Sequence, residues 1–328
     1  MKLSKIILML FCAHLFAREI TVHVVDDLGV SVAGAKSSIF FVNSREDDER
    51  AGLTDKVGVF SANGDSSNSF GFIIAKDGYY SARVGGLAKD MDHNVEVSLP
   101  RKVNPIPLYA LRCEGSEGFD FPLNNVWVGF DFEVADWVVP HGKGRTADIL
   151  LRFKNEYKGL KDSRMSLNER IEFHKSFYLK RNEEWTMEKF QVSYGKWDGV
   201  LEVSFPNQGD GIFEEKRFLE YSQLKMPHMA PEDGYVATWR YEASNYHYKP
   251  RREKVGFFLR TRVKRDLQGG IVSANYAKFI GDLNVDAATG RLEFVYYFNP
   301  APNNRNLEFD PKKNLFPSRK PGAKIYEP

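Results

Sequence analysis

The chain has 328 residues, with 46 basic against 44 acidic side chains and a formal net charge of +2. That length suffices for two domains of ordinary size, each with its own core. The even charge excludes a global field that would draw the chain to nucleic acid or anionic lipid, and 42% hydrophobic residues exclude a disordered composition.

Residues 1–17 read as a secretory leader. Lys2 and Lys5 supply the positive region, Ile6 to Phe11 the apolar stretch, and Ala17 the small residue before cleavage. An apolar run this short cannot span a bilayer, which needs roughly 20 residues. The expectation is therefore an extracytoplasmic protein, secreted or periplasmic, without stable membrane insertion. Phe11 stands before Cys12 where a lipoprotein leader carries a small residue, so lipidation is not expected. Cleavage after Ala17 removes Lys2, Lys5 and Cys12, leaving 44 charges of each sign and Cys113 as the remaining cysteine. A single thiol forms no internal disulfide, so packing must hold the fold together. Cys113, in LYALRCEG, reads as a half-buried small side chain near a strand end.

From residue 18 the pattern is that of a β-sandwich. Ile20, Val22 and Val24 alternate with polar neighbours and so share one strand face. Asp27, Leu28 and Gly29 make a turn, and Ala35 to Val42 a second strand. Thr54 and Asp55 with Gly58 mark a tight turn. Phe70, Phe72 and Ile74 alternate into the turn Lys76-Asp77-Gly78-Tyr79, and Val95, Val97 and Leu99 close the set. Short strands at this spacing indicate a sandwich. The first strand with Gly29 and Gly34-Ala35, the Thr54-Asp55/Gly58/Phe60 group and Lys76 to Tyr79 resemble the transthyretin-like, carboxypeptidase regulatory-like domain. Ser31 stands where that family commonly has proline. The resemblance covers residues 18–99; it implies an Ig-like sandwich with a supporting or docking role, and no catalytic group.

Residues 100–107 (PRKVNPIP) are proline-rich and read as an extended linker. Residues 108–300 read as a larger β-rich domain of no assigned family. Val126, Val128, Phe130 and Phe132 alternate, as do Phe190, Val192 and Tyr194, and Leu201, Val203 and Phe205. Val255 to Val263 forms a long alternating strand with Arg260, Arg262 and Lys264 opposite. Ala277 to Val285 and Leu292 to Phe298 flank the loop Asp286 to Gly290 and form a hairpin. Residues 166–179 fit two patterns: a capping box (Ser166, Glu169) with Phe173 and Phe177 four apart suits a helix, while alternation from Ile171 to Leu179 suits a strand. Residues 301–328 read as an extended tail with mobile last residues, anchored by Leu307, Phe309, Leu315 and Phe316. This closing stretch and the hairpin before it look like those of uncharacterised secreted bacterial proteins. The fold expected is all-β, a transthyretin-like sandwich followed by a larger sandwich.

No strong catalytic motif appears. PHGKGR (140–145) lacks the spacing of a phosphate loop, the histidines stand singly, and no GxSxG elbow is present. Neither a metal nor a cofactor is expected; Asp210, Glu214 and Glu215 lack the spacing of a dedicated calcium loop. Trp185, Trp197 and Trp239 read as core or edge residues. In GFDFEVADW, Asp131 and Glu133 fall on one face of the expected strand, roughly 7 Å apart at a rise of about 3.3 Å per residue. Such a pair suits acid–base sugar hydrolysis, and also suits an ordinary solvated strand face. Trp127 and Trp137 could stack on a sugar, with His141 and Arg145 as polar partners. The reading is a non-catalytic binding or interaction protein of the cell envelope, its partner a glycan or an envelope protein. The alternative is a glycan-active hydrolase using Asp131 and Glu133.

Overall fold

The computed structural model describes residues 18–42, 48–64, 69–88, 93–247, 252, 254–317 and 321–328. The leader read at residues 1–17, with Cys12, lies outside them. The protein is mostly β, and its chain divides into two compact units: Met1–Lys102 with Leu219–Leu224, and Val103–Phe218 with Lys225–Pro328.

The first unit contains β1 (Arg18–Val25), β2 (Lys36–Val42), β3 (Asp48–Leu53), β4 (Val59–Gly64), β5 (Ser69–Ala75), β6 (Ala82–Ala88) and β7 (Asn94–Ser98). They form two sheets, β4-β1-β7 and β3-β2-β5-β6, with β1 and β7 parallel. The period-2 residues converge between them: Ile20, Val22 and Val24 meet Phe41, Phe70 and Phe72. Thr54 ties the turns, its hydroxyl donating to the Val32 carbonyl at 2.7 Å and accepting from the Ala35 amide at 2.9 Å. Gly58 is in the left-handed region (φ 78°), where a Cβ would stand 2.5 Å from the Val24 carbonyl oxygen. The downstream segment Leu219–Leu224 completes this unit. Ala82 and Ser222 form a bridge, and the Tyr221 ring meets Phe72 edge-on at 5.3 Å.

The second unit contains β8 (Tyr109–Cys113), β9 (Phe119–Asp120), β10 (Val128–Asp131), β11 (Asp136–Trp137), β12 (Ile149–Leu160), α1 (Leu167–Lys180), α2 (Met187–Tyr194), β13 (Gly195–Ser204), β14 (Gly211–Glu215), β15 (Trp239–Ser244), β16 (Gly256–Arg265), β17 (Ile271–Val285) and β18 (Arg291–Asn299). A five-stranded sheet, β11-β10-β12-β13-β15, faces a six-stranded one made of β14-β16-β17-β18-β8 and of β9, which also pairs with β18. Phe130 and Leu151 from the first, with Phe132 from the turn after β10, pack with Phe257, Phe279 and Phe294 from the second. The other face of the six-stranded sheet carries Phe258, Val295 and Tyr297, and it is covered by Met226, Leu307 and Phe309.

The β17–β18 hairpin matches its sequence pattern. The Asp286 carboxylate accepts from the Ala288 and Thr289 amides, and Gly290 closes the loop at φ 74°. Residues 166–179 resolve to helix, because the Ser166–Glu169 capping box forms in both directions. Phe190, Val192 and Tyr194 do not form a strand. Thr186 caps α2 by accepting from the Lys189 amide, and Phe190 stacks on Tyr194 at 5.0 Å, an i,i+4 helical contact that a period of two also places on one side. Cys113 is wholly buried rather than half-buried. The tail packs further than its pattern suggests, since Ala323 and Ile325 are buried beyond Phe316.

One buried charge stands out. Lys278 points from β17 into the tail-covered layer, fully buried, its Nζ without a hydrogen-bond partner among the described residues and 4.5 Å from the centre of the Tyr297 ring. Burial pulls its pKa down to about 7, while the charge of Glu308 opposes that shift. The unfolded chain holds this proton to about pH 10.5, the ordinary lysine value. Between these values the unfolded state binds more protons, so stability rises with pH across the window. Below pH 7 both states are protonated and the penalty is constant. Lys278→Met should therefore stabilise the protein at pH 6 by on the order of 3–5 kcal/mol and flatten the rise between pH 7 and 10. Denaturant titrations across pH check both expectations.

Candidate functional site

The expected strand through Glu133 ends at Asp131. The Ala135 amide donates to the Asp131 carbonyl at 2.8 Å, and Ala135 takes a left-handed conformation at φ 57°. Glu133 therefore lies in the turn between β10 and β11. It does not share a strand face with Asp131. The Asp131 side chain turns inward and is 2% exposed. Its Oδ1 accepts from the Glu133 and Val134 amides at 3.0 and 3.2 Å. Its Oδ2 accepts from the Arg145 and Thr146 amides at 2.8 and 3.0 Å. Buried polar oxygens need hydrogen-bond partners, and four backbone donors supply them here.

Two further residues complete the cluster: Asp148, which the sequence pattern did not single out, and Arg262, which it placed on the outer face of the expected strand 255–263. Asp148 is fully buried, accepting from the Phe132 amide at 2.8 Å and from the Thr261 hydroxyl at 3.3 Å. Arg262 meets it fork to fork, Nε to Oδ1 at 2.7 Å and Nη2 to Oδ2 at 3.0 Å. Nη1 of Arg262 binds Glu133, and Nη2 lies 3.7 Å from Asp131 Oδ1. The guanidinium also sits 4.8 Å from the centre of the Phe298 ring. Arg262 reaches this position because β16 bulges: its register slips between Thr261 and Lys264, and Arg262 has φ 54°. Strict alternation would have left it on the face opposite Thr261.

Burial pushes Asp148 up to about pH 6, against the lowering effect of its bonds to Arg262. At neutral pH it remains ionised beside the guanidinium. Chemically the arrangement is a clamp. One cation from a distant strand holds three carboxylates, at the end of β10, in the turn after it and at the end of the loop before β12. Asp131 and Asp148 carry no solvent-facing oxygen for a substrate, and Arg262 has no free fork for an anion.

The remaining candidates separate. Trp137 is 5% exposed and belongs to the core, where its ring meets Phe130 at 5.5 Å and its Nε1 donates to the Asp120 carbonyl at 3.1 Å. Trp127 is 39% exposed; the Arg152 guanidinium lies 4.7 Å from its ring centre, itself held by Glu202 at 2.8 Å. His141 and Arg145 are exposed, and only the backbone of Arg145 joins the Asp131 turn. Asp210 is buried and caps the Val263 amide at 2.8 Å, Glu214 pairs with Arg252, and Glu215 pairs with Arg217. Among the described residues no three histidine, cysteine, aspartate or glutamate side chains are grouped to hold a metal ion.

No family model matches the chain, and no curated protein does. Among solved structures it is similar to a Bacteroides fragilis protein of unknown function, provisionally described as membrane-associated, at 10% identity over 88% of this chain and 99% of that one, TM-score 0.22. A DUF3823 family protein from Parabacteroides merdae follows at 6% identity, 86% and 98% coverage, TM-score 0.18. A Bacteroides uniformis protein provisionally described as carbohydrate-binding has 8% identity, 85% and 97% coverage, TM-score 0.18. Scores this low carry no conclusion about this chain. Among the described residues no helix is long and apolar enough to cross a membrane.

Removing the guanidinium should strand the carboxylates it neutralises. Arg262→Met is expected to cost about 3–5 kcal/mol at pH 7, the usual loss when one partner of a buried ion pair is removed. The loss should shrink toward pH 5, where a protonated Asp148 no longer needs a cation. A parallel Asp148→Asn, Arg262→Met double variant should recover part of it. Urea titrations of the unaltered chain, Arg262→Met and the double variant test this.

Proposed function

We propose that the protein is an extracytoplasmic, non-catalytic binding protein of the cell envelope, with a glycan or an envelope protein as its ligand. The observation that supports this reading is the commitment of the Asp131, Glu133 and Asp148 carboxylates to Arg262 and to backbone amides. Residues 18–99 are read as a transthyretin-like docking module, 100–107 as the connection, 108–300 as the binding portion and 301–328 as its packed tail. Trp127, His141 and Arg145 reach solvent and are the proposed ligand contacts. Trp137 would act from within, since its carbonyl accepts from the Gly144 amide at 2.9 Å and so shapes the 138–145 loop.

The rival is a glycan hydrolase. The raised proton affinity of Asp148 favours it, because a carboxyl titrating near neutrality is a feature of general acids. Its full burial opposes it, because a general acid must reach its substrate.

Residues 18–328 should be retained on insoluble cell-wall or plant polysaccharide without releasing sugar. Glu133→Gln should leave retention intact, and Trp127→Ala should weaken it. Sugar released by the unaltered chain and lost in both Asp131→Asn and Glu133→Gln would replace the binding reading with the hydrolase.

A further inference from the structure

The β12–β13 hairpin is interrupted by residues 161–194, which carry the α-helices of the described chain. This excursion holds an open cleft of about 470 Å³ between α1 and α2, within the range of ordinary small-molecule sites. One wall is a ridge of α1 with i,i+4 spacing: Phe173, Phe177 and Arg181. Phe173 is 54% and Phe177 49% exposed, their rings 6.4 Å apart. The Arg181 guanidinium extends the row, 5.0 Å from the Phe177 ring centre. Two aromatic rings held half out of water on one helix face gain little for the fold, yet they present flat apolar surface to a ligand.

The floor is polar and its protons can be placed. His174 is buried. Its Nδ1 accepts the Trp185 indole N–H at 2.9 Å, so the proton of the neutral ring sits on Nε2 and is donated to Ser193 Oγ at 3.2 Å. Burial lowers the pKa of His174, which keeps the ring neutral. The hydroxyl proton of Ser193 is then left to donate elsewhere, and Ser193 is exposed. Arg181 and Glu183 stand at the rim, and among the described residues neither has an ion-pair partner.

We propose that this cleft is a binding site for neutral saccharide, taking one or two pyranose rings. A pyranose has an apolar C–H face, which fits the Phe173–Phe177 ridge, and a rim of hydroxyls that both donate and accept. Ser193 and Arg181 donate to those hydroxyls and Glu183 accepts from them. The rim charges cancel, so neither an anionic nor a cationic ligand gains a net attraction. An entirely apolar ligand would leave Ser193, Arg181 and Glu183 stripped of water and unpaired, a cost that discriminates against it. The site is distinct from the Trp127 face and does not depend on it.

The Trp185 indole N–H reports on the cleft through His174 without lining it. In the full-length, ¹⁵N-labelled chain its resonance is identified by its loss in Trp185→Phe. Methyl glycosides of glucose, galactose, mannose and N-acetylglucosamine, with cellobiose and chitobiose, are then titrated to millimolar concentrations. At least one should shift this resonance saturably. Phe177→Ala should weaken that sugar about tenfold, as loss of one stacking ring does. Ser193→Ala should weaken it roughly threefold, in line with one neutral hydrogen bond. Both residues reach solvent, so unchanged melting curves would show that the folds are intact. Absence of any saturable shift, a shift that survives Phe177→Ala and Ser193→Ala unaltered, or equal affinity for benzoate would overturn the proposal. Loss of the shift in Trp127→Ala but not in Phe177→Ala would overturn it too, while leaving the binding reading above in place.

Discussion

Phe257 and Phe258 are neighbours on β16, and neither has any solvent exposure. Adjacent side chains of a strand point to opposite faces, so the six-stranded sheet must be covered on both sides. The five-stranded sheet covers one. The other has no sheet to meet it, and the chain answers with irregular segments: Met226 and Ala230 from the loop after β14, and Leu307, Phe309 and Ile325 from the tail. Those segments carry unpaired backbone groups into a dry layer, and such groups must find partners. Glu308 supplies some, fully buried and accepting from the Val103 and Asn104 amides. The Ile106 amide bonds the Glu308 carbonyl, and Leu307 bonds His228. A tail rich in proline and lysine is thus a structural third layer, and Lys278 is buried because that layer closes over it.

The Arg262 clamp answers a related problem on the other side of the same sheet. The long connection from β10 to β12 has little apolar content to hold it down, since residues 139–146 are mostly polar or glycine. Asp131 anchors it by capping amides at both ends of the turn, and Asp148 anchors its return. Two buried carboxylates without a cation would be costly. The β16 bulge supplies one, at the expense of a left-handed arginine. The expense falls on a single residue, and the benefit is a fixed loop.

The sandwich pattern was legible because period 2 is a direct consequence of strand geometry. β1, β5 and the β17–β18 hairpin all deliver their alternating residues to a core. Reading failed where two geometries predict the same spacing. Phe190 and Tyr194 lie four apart, which is one face of a helix and also one face of a strand, and only the Thr186 cap separates the cases. It failed again where the partner is remote. Asp131 and Arg262 are joined by a bulge that breaks the very periodicity used to read β16. Nothing local marks Asp148 as anything but an aspartate before a strand, and its meaning lies in an arginine more than a hundred residues away.

The same contrast separates surfaces that serve the fold from surfaces that do not. Around Asp131 the oxygens of both buried carboxylates have partners inside the molecule, and they serve to hold the loop. On the helical excursion the accounting does not close. The Ser166 capping box and the Thr186 cap make two short helices stable, Phe190 and His174 give them a small core, and Phe173, Phe177, Arg181 and Glu183 lie outside that core, in or beside the cleft. Rigid sheets commonly carry function on the segments that join their strands. A hairpin that interrupts itself with two helices, keeps two phenylalanines half in water and runs a chain of hydrogen bonds from Trp185 through His174 to an exposed serine has spent sequence on a surface, and that surface is where a ligand finds both stacking and hydrogen bonds.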